Sequence, residues 1–139
     1  MSDKLCRGGQ SVTIHGWGVK GFIVQDDRFL VLVKRNGRLD IPGGRVESGE
    51  SLEKSLRREI TEETCLQVRI MNPFTEWSFF KKPNLRIDGV TYFCRYLWGN
   101  VALSHEHDAF FWAKIDDMDR LNLDHLFGIS RLYTALPQL

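Results

Sequence analysis

Gly44-Arg45-Val46-Glu47-Ser48-Gly49-Glu50-Ser51-Leu52-Glu53-Lys54-Ser55-Leu56-Arg57-Arg58-Glu59-Ile60-Thr61-Glu62-Glu63-Thr64-Cys65-Leu66 is the stretch on which the reading of the chain turns. Its second half carries the period of a helix. Leu52, Leu56 and Ile60 step by four and form one apolar stripe. Ser51 is placed to cap the first turn, and Glu53 suits the positive end of the helix dipole. The spacing predicts a helix over Leu52 to Thr64. Glu59, Glu62 and Glu63 then fall at i, i+3 and i+4, on one face. At about 100° per residue that face borders the apolar stripe, and Glu63 falls within the stripe's arc. The carboxylates should therefore be partly shielded from water. Adjacent carboxylates repel unless a cation sits among them. Hard oxygen ligands suit Mg²⁺ or Mn²⁺, and these ions suit phosphate chemistry. The bland alternative is a solvated helix face laced with ion pairs, such as Arg58 with Glu62.

Outward from this stretch the chain reads as strands. Ile41-Pro42-Gly43-Gly44 breaks regular structure, and its glycines allow close approach of backbone to a ligand. Before it, Ser11 to Trp17, Val19 to Val24 and Phe29 to Val33 have strand character. Asp26-Asp27 and Asn36-Gly37 are turn signals. After it, Gln67 to Met71, Glu76 to Phe80, Val90 to Trp98 and His107 to Ile115 are strand candidates, with a turn at Lys81-Lys82-Pro83-Asn84. Leu121 to Leu136 has the spacing of an amphipathic helix, stopped by Pro137. Strands, helix, strands, helix imply an α/β sandwich with a mixed sheet between helices.

The chain has 139 residues, 42% hydrophobic and 27% charged, which predicts one globular domain over residues 1–139. A net charge of +1 argues against a general polyanion-binding surface, so polymeric nucleic acid is not an expected partner. Cys6, Cys65 and Cys94 form neither a disulfide framework nor a metal-binding pair, which fits a reducing compartment. Met1 to Gly9 has no apolar run of the kind a signal peptide needs, and no segment has the length of a membrane span. The expectation is a cytoplasmic protein without a membrane partner. The sequence leaves a homodimer open.

The spacing G-x5-E-x7-R-E-U-x-E-E-x-G-U, with U a bulky aliphatic residue, is the signature of the Nudix hydrolases. The stretch resembles it at Gly44, Glu50, Arg58, Glu59, Ile60, Glu62, Glu63 and Leu66 and departs from it at Cys65, where the family has Gly. The resemblance implies a Nudix-type α/β/α sandwich with a mixed sheet. It implies metal ligation by Glu59, Glu62 and Glu63, with help from the Gly44 carbonyl. It gives Arg58 an orienting role and Glu50 a structural one. Glu62 or Glu63 is the candidate general base, though some members recruit a base from a distant loop. Glu106-His107-Asp108-Ala109-Phe110-Phe111-Trp112 resembles the family's Glu-His run before a strand ending in Trp, so Glu106 is the best distant acid. An ordinary exposed carboxylate is the competing reading.

Substrate contacts are less sharply marked. Lys34, Arg35 and Arg45 flank the glycine turn in sequence and are candidates for phosphate contacts. Glu47 is a candidate for touching metal or substrate. Trp77, Phe79 and Phe80 could stack a nucleobase, against the commoner role of core packing. His105 and His107 lack an evident third ligand and read as ordinary histidines. The resemblance implies Mg²⁺- or Mn²⁺-dependent hydrolysis of a nucleoside diphosphate linked to another moiety. The leading substrate is a (d)NTP or oxidised dNTP, giving nucleoside monophosphate and pyrophosphate. Alternatives are a sugar nucleotide of the ADP-ribose or GDP-mannose type, or a dinucleoside polyphosphate. From another class, a catalytically silent nucleotide sensor is disfavoured because Glu59, Glu62 and Glu63 are all present.

Overall fold

In the computed structural model, residues 12–121 and 123 are described. Their elements are β1 (Ile14–Gln25), β2 (Arg28–Lys34), β3 (Leu39–Asp40), β4 (Gly43–Arg45), α1 (Leu52–Thr64), β5 (Gln67–Lys82), β6 (Leu85–Trp98) and β7 (His107–Lys114), followed by a 3₁₀ helix over Ile115–Arg120. One sheet holds all the strands, in the order β3-β2-β1-β6-β5, with β4 pairing β1 and β7 pairing β2. β1 and β6 run parallel from Ile14 opposite Leu85 to Val24 opposite Arg95, and the other pairs are antiparallel. The sheet is therefore mixed, as expected.

Two of the expected strand breaks are absent. Ser11 to Trp17 and Val19 to Val24 were expected as separate strands. Ser11 lies outside the described residues, and β1 is continuous from Ile14. Gly16 and Gly18 do not interrupt it, because other side chains lie over them: a Cβ on Gly16 would run into the Arg45 guanidinium, and one on Gly18 would come within 3.0 Å of Trp77. Likewise Gln67 to Met71 and Glu76 to Phe80 belong to one strand, β5. Its register against β6 shifts between Ile70 and Pro73 and again between Pro73 and Thr75. β5 is an edge strand, where proline and bulges are tolerated.

The helix forms where its pattern predicts. Ser51 Oγ accepts the Lys54 N–H at 3.1 Å as its N-cap. Leu56 and Ile60 of α1 are buried against Val19, Ile23, Leu30, Leu32, Val90, Tyr92 and Cys94, the inward residues of β1, β2 and β6. Truncating a buried Leu or Ile to Ala costs about 2–5 kcal/mol, so this layer fixes the height of α1 above the sheet. Alternate residues of the same strands, Phe22, Phe29, Val31 and Phe93, face the other way and pack with Ile41, Ala113 and Met118. There Phe22 stacks on Phe29 with ring centroids 4.8 Å apart. Leu121 and Leu123 join this second layer. The helix expected over Leu121 to Leu136 does not start at Leu121, which is extended at φ −85° and ψ 135°; residues 122 and 124–136 lie outside the described residues.

Candidate active site

α1 carries its carboxylates along the border of the core. Glu63 is buried at 4% exposure, and the Glu59 side chain is 15% exposed, whereas that of Glu62 is 59% exposed. Glu63 Oε1 accepts the Gly43 N–H at 3.2 Å, which ties the helix to the glycine turn. Arg58 binds Glu50 with two nitrogens, Nε to Oε2 at 2.8 Å and Nη2 to Oε1 at 3.0 Å. Its Nη1 donates to both Glu59 Oε2 and Glu62 Oε1 at 3.3 Å. The plain i,i+4 ion pair thus exists, but as one arm of a fork that also holds Glu50 and Glu59. Arg58 and the Glu47 N–H hold the Glu50 carboxyl down to about 2.

Glu59 and Glu63 behave in the opposite way. Burial raises the Glu59 carboxyl; Arg58 opposes the rise, while Glu62 and Glu106 add to it. Burial pushes Glu63 up to about 8, against Lys20 and the Gly43 N–H, with Glu59 and Asp40 adding repulsion. Burial thus disfavours the charged form of both carboxylates, despite the Arg58 and Lys20 cations beside them. Glu63 and Glu106 line one cleft, so the segment before β7 lies beside this helix.

The expected residues fall into two groups. Glu63, Gly43 and Glu106 line an open cleft of about 580 Å³ together with Lys20, Lys34 and Arg35. Arg35 Nε and Nη2 donate to the His105 carbonyl at 3.1 and 2.7 Å, so Arg35 ties down the loop that carries Glu106. Arg45 and Trp77 lie instead on the sheet face shared with Gly16, Gly18 and Gly89. The Trp77 ring covers Gly18 and Gly89, and its Nε1 donates to Thr91 Oγ1 at 3.0 Å. A Cβ on Gly18 would lie 3.5 Å from the Gly44 carbonyl oxygen, so the indole and the Gly44 carbonyl flank the same residue. Phe79 stacks beside Trp77 at 6.0 Å, and Phe80 is 59% exposed. Glu47 is exposed on the loop before α1, with its carboxylate 3.9 Å from Arg58 Nη2.

Lys20 and Asp40, which the sequence did not single out, stand at the floor of the cleft with His107, which it read as an ordinary histidine. Lys20 Nζ meets Asp40 Oδ1 at 3.0 Å, and His107 Nε2 faces Asp40 Oδ2 at 3.5 Å. Burial alone would raise the Asp40 carboxyl, but Lys20, His107 and Lys34 hold it well below the usual carboxylate range. The available signal was slight: a lysine within the apolar run Val19 to Val24, and an aspartate just before Ile41-Pro42.

A hard divalent cation fits this donor set. Gly44 lies so close to Glu59 that any Cβ there would strike the carboxylate, which leaves bare backbone beside oxygen ligands. Among the described residues, no three His, Cys, Asp or Glu side chains are already gathered into a cage for an ion. Glu59 and Glu62 share one Arg58 nitrogen, whereas Glu63 is turned to the Gly43 N–H. Glu59, Glu62, Glu63, Glu106 and the Gly44 carbonyl are the oxygens available to such a cation.

A family model described as the NUDIX domain matches residues 15–135. A MutT-like protein of Streptomyces ambofaciens is 29% identical over 128 residues, which cover 91% of this chain and 80% of the relative. An ADP-ribose pyrophosphatase of Methanocaldococcus jannaschii is 25% identical over 112 residues, covering 77% of this chain and 66% of the relative. The nucleoside triphosphatase NudI of Escherichia coli is 28% identical over 99 residues, covering 63% of this chain and 70% of the relative. A crystal structure of a MutT protein from Methanosarcina mazei Go1 shares the fold, with a TM-score of 0.79 at 21% identity over 94% of this chain and all of that one. No helix among the described residues is long and apolar enough to cross a membrane. The match from residue 15 to residue 135, on a mixed sheet whose one described α-helix carries the acidic face, makes this chain a member of the Nudix hydrolase family, which acts on phosphoanhydride bonds with the help of divalent metal ions.

Proposed function

We propose that this single-domain chain is a Mg²⁺- or Mn²⁺-dependent pyrophosphohydrolase of nucleoside triphosphates, including oxidised deoxynucleotides, releasing nucleoside monophosphate and pyrophosphate. The observation that carries this reading is the two-sided cleft. Glu63 and Glu106 lie on it with Lys34 and Arg35, so carboxylates that favour a cation share one space with cations that favour phosphate. A triphosphate offers that arrangement more negative charge than a sugar diphosphate does.

In this reading Glu59, Glu62, Glu63 and the Gly44 carbonyl hold the ion. When bound, it neutralises phosphate oxygens and makes a water more acidic. Arg58 keeps Glu59 and Glu62 turned toward the site. Glu62, Glu63 or Glu106 takes the proton from the attacking water. Arg35 and Arg45 contact phosphates, Glu47 borders the site, and the Trp77 indole offers a surface to the base. A second reading, hydrolysis of ADP-ribose, draws on the name of the Methanocaldococcus jannaschii relative.

The test is turnover of a nucleotide panel with Mg²⁺ or Mn²⁺: dNTPs, oxidised dNTPs, ADP-ribose, GDP-mannose and a dinucleoside tetraphosphate. Products are identified by ion-exchange chromatography. The expected result is the highest kcat/KM on a triphosphate, with pyrophosphate released. Preference for ADP-ribose, or stepwise release of orthophosphate, would overturn it.

A further inference from the structure

Asp40 lies between the two halves of the acidic site. It ends β3, four residues before Gly44, and is 4% exposed. Its Oδ1 accepts from Lys20 Nζ at 3.0 Å and from the Ile41 N–H at 2.9 Å. Its Oδ2 faces His107 Nε2 at 3.5 Å and Lys34 Nζ at 4.0 Å. One partner leads to each half of the site.

Toward the helix the link is Lys20. Its Nζ also donates to the Ile41 carbonyl at 3.1 Å. Lys20 pairs with Gly43 across the β1–β4 ladder, and its stem lies so close that a Cβ on Gly43 would come within 2.8 Å of Lys20 Cδ. Gly43 in turn donates to Glu63. Toward β7 the link is His107, the residue after Glu106. Its side chain is 4% exposed, and Nδ1 is buried with no hydrogen-bond partner among the described residues, so Asp40 is the polar anchor of this ring. The β2–β7 register shifts here, from Val33 opposite Ala109 to Lys34 opposite His107. The start of β7 is thus held by a side-chain contact at the point where the ladder is irregular.

We propose that Asp40 is a positioning residue that fixes Glu106 relative to Glu63 and Glu59, acting through His107 on one side and through Lys20 and Gly43 on the other. The proposal rests on the reading of Glu106 as a working carboxylate of the hydrolytic site. Asp40 itself is 4% exposed at the floor of the cleft and acts through its neighbours.

A double-mutant cycle tests it. Lys20→Met with Asp40→Asn removes cation and carboxylate together, so neither charge is left buried without the other. Glu106→Gln is made in the unaltered protein and in that background. Two quantities are read: Mn²⁺ affinity from the electron paramagnetic resonance signal of free Mn²⁺, and kcat and KM on the best nucleotide substrate. Glu106→Gln alone should weaken Mn²⁺ binding and lower kcat by about tenfold. The Lys20→Met/Asp40→Asn protein should lose a similar factor in both, with KM within about twofold of the unaltered protein. Adding Glu106→Gln to it should then change either quantity by less than about twofold, because Glu106 is already out of place. If the paired variant does not fold, His107→Phe supplies the same cycle from the other end while keeping the Lys20–Asp40 pair. His107→Gln, which keeps a donor, should restore part of the lost kcat. Additive factors, full kcat in the Lys20→Met/Asp40→Asn protein, or no effect of Glu106→Gln in the unaltered protein would each overturn the proposal. The Mn²⁺ arm is read without substrate, so it stands or falls separately from the choice of nucleotide.

Discussion

Gly44 and Glu59 are packed so closely that no side chain fits between the backbone of the first and the carboxylate of the second. Gly44→Ala should therefore push the Glu59 carboxylate aside. The carboxylate is the mobile end of the Glu59 side chain, so the loss of stability should be small. The greater effect should fall on turnover, because displacing a catalytic group by about 1 Å can lower the rate roughly 10²-fold. Thermal unfolding and kcat, measured on the same preparation, check this. Normal turnover in Gly44→Ala would show that the Glu59 carboxylate can move without consequence for the reaction.

Glu63 gives the metal-free protein a characteristic pH dependence. Its carboxyl is pushed up to about 8 by burial, from an ordinary value of 4.5. The folded state then holds a proton that the unfolded chain has released. Stability from this group is fully present below about pH 4.5 and is lost as pH rises toward 8. In EDTA, Tm should fall across that window, and Glu63→Gln should flatten the fall. Glu62→Gln, at a side chain 59% exposed, serves as the comparison on the same helix face. Both variants should lose most hydrolysis at saturating Mg²⁺ while remaining folded. A Glu63→Gln protein with the same pH slope in EDTA would place the titrating group elsewhere.

Much of this site was legible because its signals are local. The 3.6-residue period, the Ser51 cap and the acidic spacing lie within one element, and α1 spans the expected residues. What was not legible depends on residues far apart in the chain. Gly18 and Pro73 fall in the gaps between strands that the sequence suggests, yet the parallel pairing with β6 and the Trp77 side chain carry β1 through Gly18. Nothing near Lys20 in sequence reveals that its partner is Asp40, twenty residues on. Arg35 was read as a phosphate contact, and its hold on the His105 carbonyl depends on a loop seventy residues away.

Cys65 ends α1 in the left-handed region, with φ 62° and ψ 13°, and its N–H donates to the Thr61 carbonyl at 3.0 Å. Glycine is the usual residue for such a C-cap. A non-glycine residue held there is strained by about 1 kcal/mol or more. Cys65→Gly should therefore raise stability by roughly 1 kcal/mol, and Cys65→Ala, which keeps a Cβ, should not. Equal melting temperatures for the two variants would show that the cap conformation carries no strain.

The cleaved bond should be broken by water and not by an enzyme nucleophile. The cleft presents carboxylates and cations, and among the described residues neither free cysteine lines it: Cys65 lies beyond the end of α1, and burial pushes the Cys94 thiol up to about 12. A thiol held there is protonated at neutral pH and cannot attack phosphorus. Hydrolysis in ¹⁸O-labelled water under single-turnover conditions should put label directly into one phosphate-bearing product, found by mass analysis of both. Simple phosphomonoesters should be poor substrates, since a cleft that combines Glu63 and Glu106 with Lys34 and Arg35 suits a chain of linked phosphates. Unlabelled products in the first turnover, or a trapped nucleotidyl-enzyme, would exclude direct attack by water. Faster turnover of p-nitrophenyl phosphate than of every phosphoanhydride tested would show that the spread of charge along the cleft does not select linked phosphates.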